Sequence, residues 1–229
     1  MGFAETGNRG NFAVIPVEGF NPERAKSIKI GMELTLGTHI SSAVIFDRDY
    51  RSDGECKSIE DACSKFSDLV SLHNRKEIEN FLLIPSALDR SARAKLADLA
   101  RRGGEEIEYK VSANDVLEQF AAEKKSYVAA QYLTERRRFE RNVNPGTSDA
   151  TISEKALNDF EKDWSDADRR MQVIPGKDAL RYFNRILQET HNVNVTHTSI
   201  IDAMKKDEIP TDMVGLITKI SEFASRLIE

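Results

Sequence analysis

The segment that decides the fold is residues 41–52, SSAVIFDRDYRS, an apolar run that ends in two aspartates, Asp47 and Asp49. A short apolar run of this kind predicts a buried β-strand. Side chains alternate between the two faces of a strand, so aspartates one residue apart leave from the same face. Open parallel sheets build their sites at the carboxyl ends of their strands. The segment therefore predicts a pair of carboxylates at such an edge.

A second acidic segment, residues 75–85, reads RKEIENFLLIP and places Glu77 and Glu79 ahead of another apolar run. In an extended segment these two glutamates share a face, whereas in a helix they diverge by about 200° and only one points inward. Carboxylates held side by side repel each other unless a hard cation lies between them. The two acidic segments together predict a Mg²⁺ or Mn²⁺ site that serves phosphate chemistry.

The first part of the chain alternates predicted strands and helices, in an order typical of a parallel sheet with right-handed crossovers. We predict strands over residues 12–17, 40–46 and 69–73, and helices over residues 22–36 and 58–66. Beyond Pro85 the chain is rich in good helix formers with helical periodicity. The predicted fold class is α/β, a parallel sheet with flanking helices plus an appended α-helical region.

The composition narrows the classes of function. A formal net charge of −5 excludes a general binder of polyanions, so nucleic acid would have to meet a local basic patch or a bound metal ion. The two cysteines, Cys56 and Cys63, lack the spacing of a zinc site and suit a reduced compartment. No apolar run approaches the ~20 residues of a membrane span. We expect a soluble, cytoplasmic protein without a membrane partner.

Two groups of basic residues are candidates for contact with nucleic acid. The run Arg136, Arg137 and Arg138 could follow a DNA backbone, but its acidic neighbours also suit a solvated helix face. Arg75 and Lys76, beside the glutamates, could touch phosphate or neutralise the acids, and surface charges explain them equally well. Lys177 follows Pro-Gly at a predicted helix start, where backbone N–H groups and a cation together suit a phosphate.

Three segments together resemble a known family: VIFDRDYRS, RKEIENFLLIPSAL and PGKDALRYF. They are similar to the Toprim nuclease region of OLD-family (overcoming lysogenization defect) ATP-dependent endonucleases. Those proteins join an ABC-type ATPase to a C-terminal Toprim domain that binds divalent metal and cuts or nicks DNA, and many act in anti-phage defence. The resemblance runs from about Phe12 to the C-terminus, although the helical middle adds little to it.

The resemblance implies roles for particular residues. Asp47 and Asp49 match the aspartate pair that binds metal in Toprim domains, and Glu79 matches the acidic position of the family's glutamate-glutamate-asparagine segment. Glu77 is a further candidate metal ligand. Lys177 matches a late lysine expected near the scissile phosphate. Together the resemblance implies a Mg²⁺- or Mn²⁺-dependent endonuclease with four catalytic residues: Asp47, Asp49, Glu79 and Lys177.

One departure from the family pattern concerns the first Toprim strand, which ends in a glutamate. The chain contains VEGFNPE, with Glu18 and Glu23, but only one helix and a turn fit between Glu18 and Asp47. We therefore expect the first strand and its glutamate to lie upstream of this chain, and Glu18 as the catalytic glutamate is the alternative. No G-x-x-x-x-G-K-[ST] loop occurs, so the ATPase domain is expected upstream or in a partner chain.

The expected organisation has four parts. Residues 1–11 form a disordered end, 12–90 a partial Toprim metal-binding core, 91–170 a helical insertion, and 171–229 a C-terminal helical part with the Pro-Gly-Lys segment. Two functions of different class remain open: the endonuclease, with DNA as its substrate, and a catalytically incomplete Toprim module that acts as a DNA-binding or protein-interaction platform. The oligomeric state is also open, with a homodimer as one alternative because related nucleases often dimerise through this region.

Overall fold

The computed structural model describes residues 13–103 and 107–226 and shows a mostly helical chain with one two-stranded parallel sheet. The predicted mixture of helices with a parallel sheet is confirmed at this level. In chain order the strands and helices are α1 (Pro22–Leu36), β1 (Ala43–Phe46), α2 (Asp53–Cys63), β2 (Leu69–Leu72), a 3₁₀ helix (Ile78–Leu82), α3 (Pro85–Gly103), α4 (Ala113–Val143), α5 (Asp149–Ser165), α6 (Ala167–Val173), α7 (Gly176–His191), α8 (His197–Ala203), a second 3₁₀ helix (Lys206–Glu208) and α9 (Thr211–Arg226).

The chain forms two compact units. Of the residues that the structure describes, the first unit contains 13–47, 53–73 and 211–226, and the second contains 48–52, 74–103 and 107–210. These limits differ from the predicted boundaries at residues 90 and 170. The segment that carries Glu77 and Glu79 belongs to the helical unit instead of the unit with the sheet.

The first unit is built around the sheet. Strands β1 and β2 run parallel, in a register that pairs Ala43 with Leu69 and Phe46 with Leu72. Helices α2 and α9 pack on β2. The buried core of this unit is small and consists of Val44, Phe46, Cys63 and Leu72. Strand β1 contributes only two of these residues, because it buries every second side chain.

Helix α1 begins and ends at residues that the sequence marks as a helix start and a helix end. The side chain of Asn21 accepts a hydrogen bond from the backbone N–H of Arg24 at 3.0 Å, and Pro22 begins the helix without needing a donor. Gly37 ends it in the left-handed conformation, with φ at 66°, where its N–H reaches the Glu33 carbonyl. The predicted helix over residues 22–36 is confirmed.

The predicted strand over residues 12–17 is wrong for the part that the structure describes. Residues 13–17 form no strand, and Val14 is 86% exposed. Pro16 lacks a backbone N–H and cannot donate a hydrogen bond to a neighbouring strand. A proline in so short an apolar run therefore disfavours a strand here. Phe12 and the expected disordered end, residues 1–11, lie outside the described residues.

The second unit is a helical assembly around one large core. Helix α4 packs against α3, α5 and α7, and α3 also packs against α8. Three fully buried phenylalanines mark the centre of this core: Phe120, Phe160 and Phe183. Their burial from three different helices explains why the region after residue 85 forms one body. In the described ranges, no helix is long and apolar enough to cross a membrane.

A carboxylate joins the end of this unit to α3. Glu208 forms an ion pair with Arg90, accepts a hydrogen bond from Ser86 Oγ at 2.7 Å and accepts another from the backbone N–H of Lys205 at 2.9 Å. The Arg90 guanidinium first, and then these two donors, lower the pKa of Glu208 from its ordinary value of 4.5 to about 2. The same guanidinium donates to the Ala203 carbonyl, so it holds both sides of the junction.

We expect the Glu208 carboxylate to make stability depend on pH between about 4.5 and 2. The folded pKa lies below the unfolded value, so the stabilisation is complete above the unfolded pKa and is lost as pH falls through the folded one. Urea denaturation at several pH values checks this. A Glu208→Gln variant should be less stable than wild type at pH 7 and should lose less stability on acidification. If the free energy of unfolding depended on pH equally in both proteins, Glu208 would not be the source of the pH dependence.

Candidate functional site

One buried amide organises the segment that the sequence singled out as EIEN. The Asn80 side chain is fully buried and accepts a hydrogen bond from the backbone N–H of Glu77 at 2.9 Å. Its Nδ2 donates to the carbonyls of Met171 at 2.8 Å and Ile174 at 2.9 Å. Its amide hydrogens and oxygen therefore all have partners, as a buried polar group requires. This one side chain ties the acidic segment to a segment more than ninety residues away.

Gly176 permits this close approach. A Cβ at this position would lie 2.8 Å from Asn80 Oδ1 and 2.9 Å from the Asn80 backbone nitrogen, closer than real Cβ contacts allow. Pro175 precedes it and ends the extended stretch before α7. The Pro-Gly pair is thus explained by packing: the proline suits the helix start and the glycine leaves room for the amide.

Glu77 and Glu79 both face the start of α7, by different routes. Glu77 precedes the 3₁₀ helix in extended conformation, and its Oε2 accepts the backbone N–H of Lys177 at 2.9 Å. Glu79, inside that 3₁₀ helix, lies with Oε1 at 3.8 Å from Lys177 Nζ. Each carboxylate is 13% exposed. The segment is neither wholly extended nor wholly helical, because Glu77 is extended and Glu79 is helical, and this lets both glutamates face the same lysine. Three residues of the predicted site, Glu77, Glu79 and Lys177, therefore lie together.

Asp49 belongs to the second unit and lies on the turn that follows β1. Its φ of 50° is left-handed, a conformation that aspartate tolerates, and its N–H donates to the Lys76 carbonyl at 2.9 Å. The Arg51 guanidinium donates to its Oδ2 at 2.8 Å. The Lys76 ammonium lies 3.9 Å from its Oδ1 and forms an ion pair with Glu77. Lys76, absent from the predicted site, therefore stands between two predicted metal ligands.

Tyr50 lies under this cluster. The Lys76 ammonium is 5.3 Å from the centre of its ring, within cation–π range. The Tyr50 hydroxyl is buried and has no hydrogen-bond partner among the described residues. Burial first, and then the Glu77 and Asp49 carboxylates, raise the pKa of Tyr50 well above its ordinary range. The phenol is thus a neutral group near the two carboxylates.

Asp47 belongs to the first unit and has a different partner. It directly follows β1, and His73 directly follows β2, so they take the next positions in the register after Phe46 and Leu72. Asp47 Oδ1 and His73 Nε2 lie 3.0 Å apart, and the His73 side chain is 2% exposed. The prediction that Asp47 and Asp49 share a strand face was wrong, because the strand ends at Phe46 and the turn at Asp49 breaks the alternation.

The predicted nucleic-acid contacts are engaged within the protein. Arg75 is buried, donates to the Asn80 carbonyl at 3.1 Å and lies over the Phe81 ring. Along α4 the basic run meets partners on its own unit, with Arg136 on Tyr132, Arg137 on Asp149 and Arg138 on Glu135. These contacts favour the solvated, ion-paired helix face that the acidic neighbours suggested. At the other end of the chain, Glu18 is exposed and pairs with Arg24.

Among the described residues, no group of three or more His, Cys, Asp or Glu side chains is arranged to hold a metal ion. A scan against models of protein families, a search of curated proteins and a search of solved structures each returned no match to the chain.

Three residues of this region were missed from the sequence: Tyr50, His73 and Asn80. Lys76 was considered only as a charge that could neutralise the acids, touch phosphate or lie on the surface. The signal for His73 was its position at the end of the third predicted strand, next to the parallel strand that Asp47 follows. Lys76 and Asn80 were visible as neighbours of the glutamates, but a lysine beside an acid is usually a surface pair. Nothing in the sequence shows that Asn80 would be buried against Met171 and Ile174.

A Gly176→Ala substitution tests the close approach. We expect a loss of about 1–3 kcal/mol in the free energy of unfolding, because the new methyl group collides with the backbone and amide of Asn80. Urea denaturation measures this loss. Gly146→Ala is the control, since its Cβ would meet nothing within 4 Å, and it should change stability little. Equal effects at both positions would contradict the account.

An Asn80→Asp substitution tests the amide itself. The change keeps the shape but replaces the donor NH₂ with an oxygen that faces the two carbonyls of Met171 and Ile174. We expect the free energy of unfolding to fall by about 3 kcal/mol or more, because the buried carboxylate cannot donate to the two carbonyls and both are left without a hydrogen bond. Asn158→Asp, the same change at an exposed position of α5, should have an effect below about 0.5 kcal/mol.

Proposed function

We propose that the chain is the Toprim nuclease part of a divalent-metal-dependent DNA endonuclease, which hydrolyses phosphodiester bonds. The observation that carries this proposal is the convergence of Glu77, Glu79 and Lys177 in the second unit. All three were predicted from segments about a hundred residues apart. A packing role alone would not require two carboxylates and a lysine at the place where these segments meet.

The donor chemistry of these residues fits Mg²⁺ or Mn²⁺. Both ions prefer hard oxygen ligands, and the candidates are all carboxylates. Glu79 offers a buried Oε2 that accepts no hydrogen bond among the described residues. We propose Asp49, Glu77 and Glu79 as ligands in the second unit, and Asp47 as a ligand in the first. A bound ion of this type would neutralise charge on the phosphate and make water more acidic.

The residues of the chain supply the other requirements for hydrolysis. The Lys177 ammonium is half exposed at the start of α7, where a cation suits the charge of a phosphate. In the first unit, His73 holds one oxygen of Asp47 and fixes how that carboxylate is turned. The neutral Tyr50 phenol can donate a hydrogen bond but cannot add a negative charge to the cluster.

The wider setting of the proposed enzyme follows from the resemblance. We propose that an ATPase domain, in the same polypeptide or in a partner chain, gates the nuclease, and that the enzyme acts on DNA in the cytoplasm in anti-phage defence. The endonuclease would use the Toprim arrangement of acids, and within the first unit the parallel pair β1 and β2 would support Asp47.

A second candidate function is a catalytically incomplete Toprim module that binds DNA or protein. The observation that favours it is the neutralisation of Asp49 and Glu77 by Arg51 and Lys76. Carboxylates that already have cations of the chain as partners have less need of a metal. Such a module would bind DNA without dependence on divalent ions.

Binding of Mn²⁺ measured by calorimetry separates the two candidates. The endonuclease proposal expects millimolar or tighter binding that is strongly reduced by Glu79→Gln and by the double substitution Asp47→Asn, Asp49→Asn. Asp98→Asn, which removes an exposed carboxylate paired with Arg101, should leave binding unchanged. Nicking of supercoiled plasmid in Mn²⁺, by this chain together with its ATPase, should follow the same ranking. Mn²⁺ binding that is equal in all variants would contradict the proposed ligands.

A further inference from the structure

The position of Lys76 between two carboxylates has a consequence for metal binding, which rests on the proposed function. The ammonium forms an ion pair with Glu77 and lies 3.9 Å from Asp49. Only 10% of the Lys76 side chain is exposed, so water screens this interaction weakly. A cation of the chain thus already occupies the place where the charge of these acids is concentrated.

The surroundings show that this place is built for a positive charge. The Tyr50 ring lies beneath the ammonium at 5.3 Å and presents its negative face to it. The two carboxylates are matched by two cations, because Arg51 contacts Asp49 Oδ2 at 2.8 Å while Lys76 lies nearer Oδ1. The local charge is therefore balanced when Lys76 is in position, and a divalent ion beside it would add two uncompensated charges.

The main chain of Lys76 is held in place by hydrogen bonds from both its N–H and its carbonyl. The Lys76 N–H donates to the Gln172 carbonyl at 2.8 Å, and its own carbonyl accepts the Asp49 N–H at 2.9 Å. These bonds hold the main chain in place on both sides of the site. Only the four-carbon stem needs to turn for the ammonium to leave the carboxylates.

We propose that Lys76 is an internal competitor for the metal site: its ammonium holds Asp49 and Glu77 in the resting protein and must leave them before a divalent cation binds. Lys76 then sets the affinity of the site and restricts it to conditions under which the ion or its substrate supplies enough charge to displace the lysine. A phosphodiester is a suitable second partner, since its negative charge can receive the released ammonium.

Lys177 is held in a comparable but weaker way. Its ammonium is 3.8 Å from Glu79, and half of its side chain is exposed. Solvent screens such a pair more effectively, so it competes less with a metal ion. The difference in burial between the two lysines identifies Lys76 as the residue that controls affinity.

Calorimetric titration with Mn²⁺ tests the proposal on Lys76→Met and Lys76→Gln. Both changes remove the ammonium, and the glutamine retains a hydrogen-bond donor for Glu77 if the methionine variant folds poorly. We expect both to bind Mn²⁺ at least about tenfold more tightly than wild type, because a like charge a few ångströms from the ion is removed. The melting temperature of both variants should rise more on addition of Mn²⁺ than that of wild type.

Two controls make the result specific. Lys125→Met makes the same change of charge at an exposed pair with Glu161 and should bind Mn²⁺ as wild type does. Adding Asp49→Asn to Lys76→Met should abolish the gain in affinity. A gain that persists without Asp49 would overturn the proposal, because the tighter binding would then come from another site.

The remaining outcomes separate this inference from the proposed function. If wild type binds Mn²⁺ and the two Lys76 variants bind it equally or more weakly, the competitor role is overturned while the metal-dependent endonuclease stands. If neither wild type nor any variant binds Mn²⁺, the proposed function fails and this inference fails with it.

Discussion

The arrangement of the second unit depends on the buried amide of Asn80. Its three hydrogen bonds join the acidic segment to the carbonyls that precede α7, and Gly176 leaves the space that this requires. In a buried setting these bonds are strong and each missing partner is costly, so the amide specifies one arrangement of the two segments. Both glutamates are thereby held against Lys177.

This arrangement brings charges of both signs together on side chains that are largely buried, since Lys76, Glu77 and Glu79 are each at most 13% exposed. Glu77 alone contacts the amide of one lysine and the ammonium of another, and Asp49 is shared by Arg51 and Lys76. In such a buried cluster, removing one partner is costly because it leaves an uncompensated charge. If the proposed function is right, the same contacts that stabilise the fold also set the conditions under which a metal ion binds.

The elements with strong local signals could be predicted from the sequence. Helix α1 has an Asn-Pro start and a glycine end, and β1 and β2 are apolar runs of the right length. The failures lie where the outcome depends on distant contacts. Residues 13–17 have an apolar pattern but no strand, and the alternation expected through Asp49 ends at a left-handed turn. The burial of Asn80 and Lys76 depends on segments far along the chain, which local patterns do not report.

The most direct test of the account is anomalous X-ray diffraction from crystals of this protein grown with Mn²⁺. If Lys76 competes with the metal ion, a manganese peak will lie in coordination contact with oxygens of Asp49 and Glu77, and the Lys76 side chain will have moved away from both. A peak elsewhere, or a Lys76 ammonium that keeps both carboxylates at saturating Mn²⁺, would contradict it.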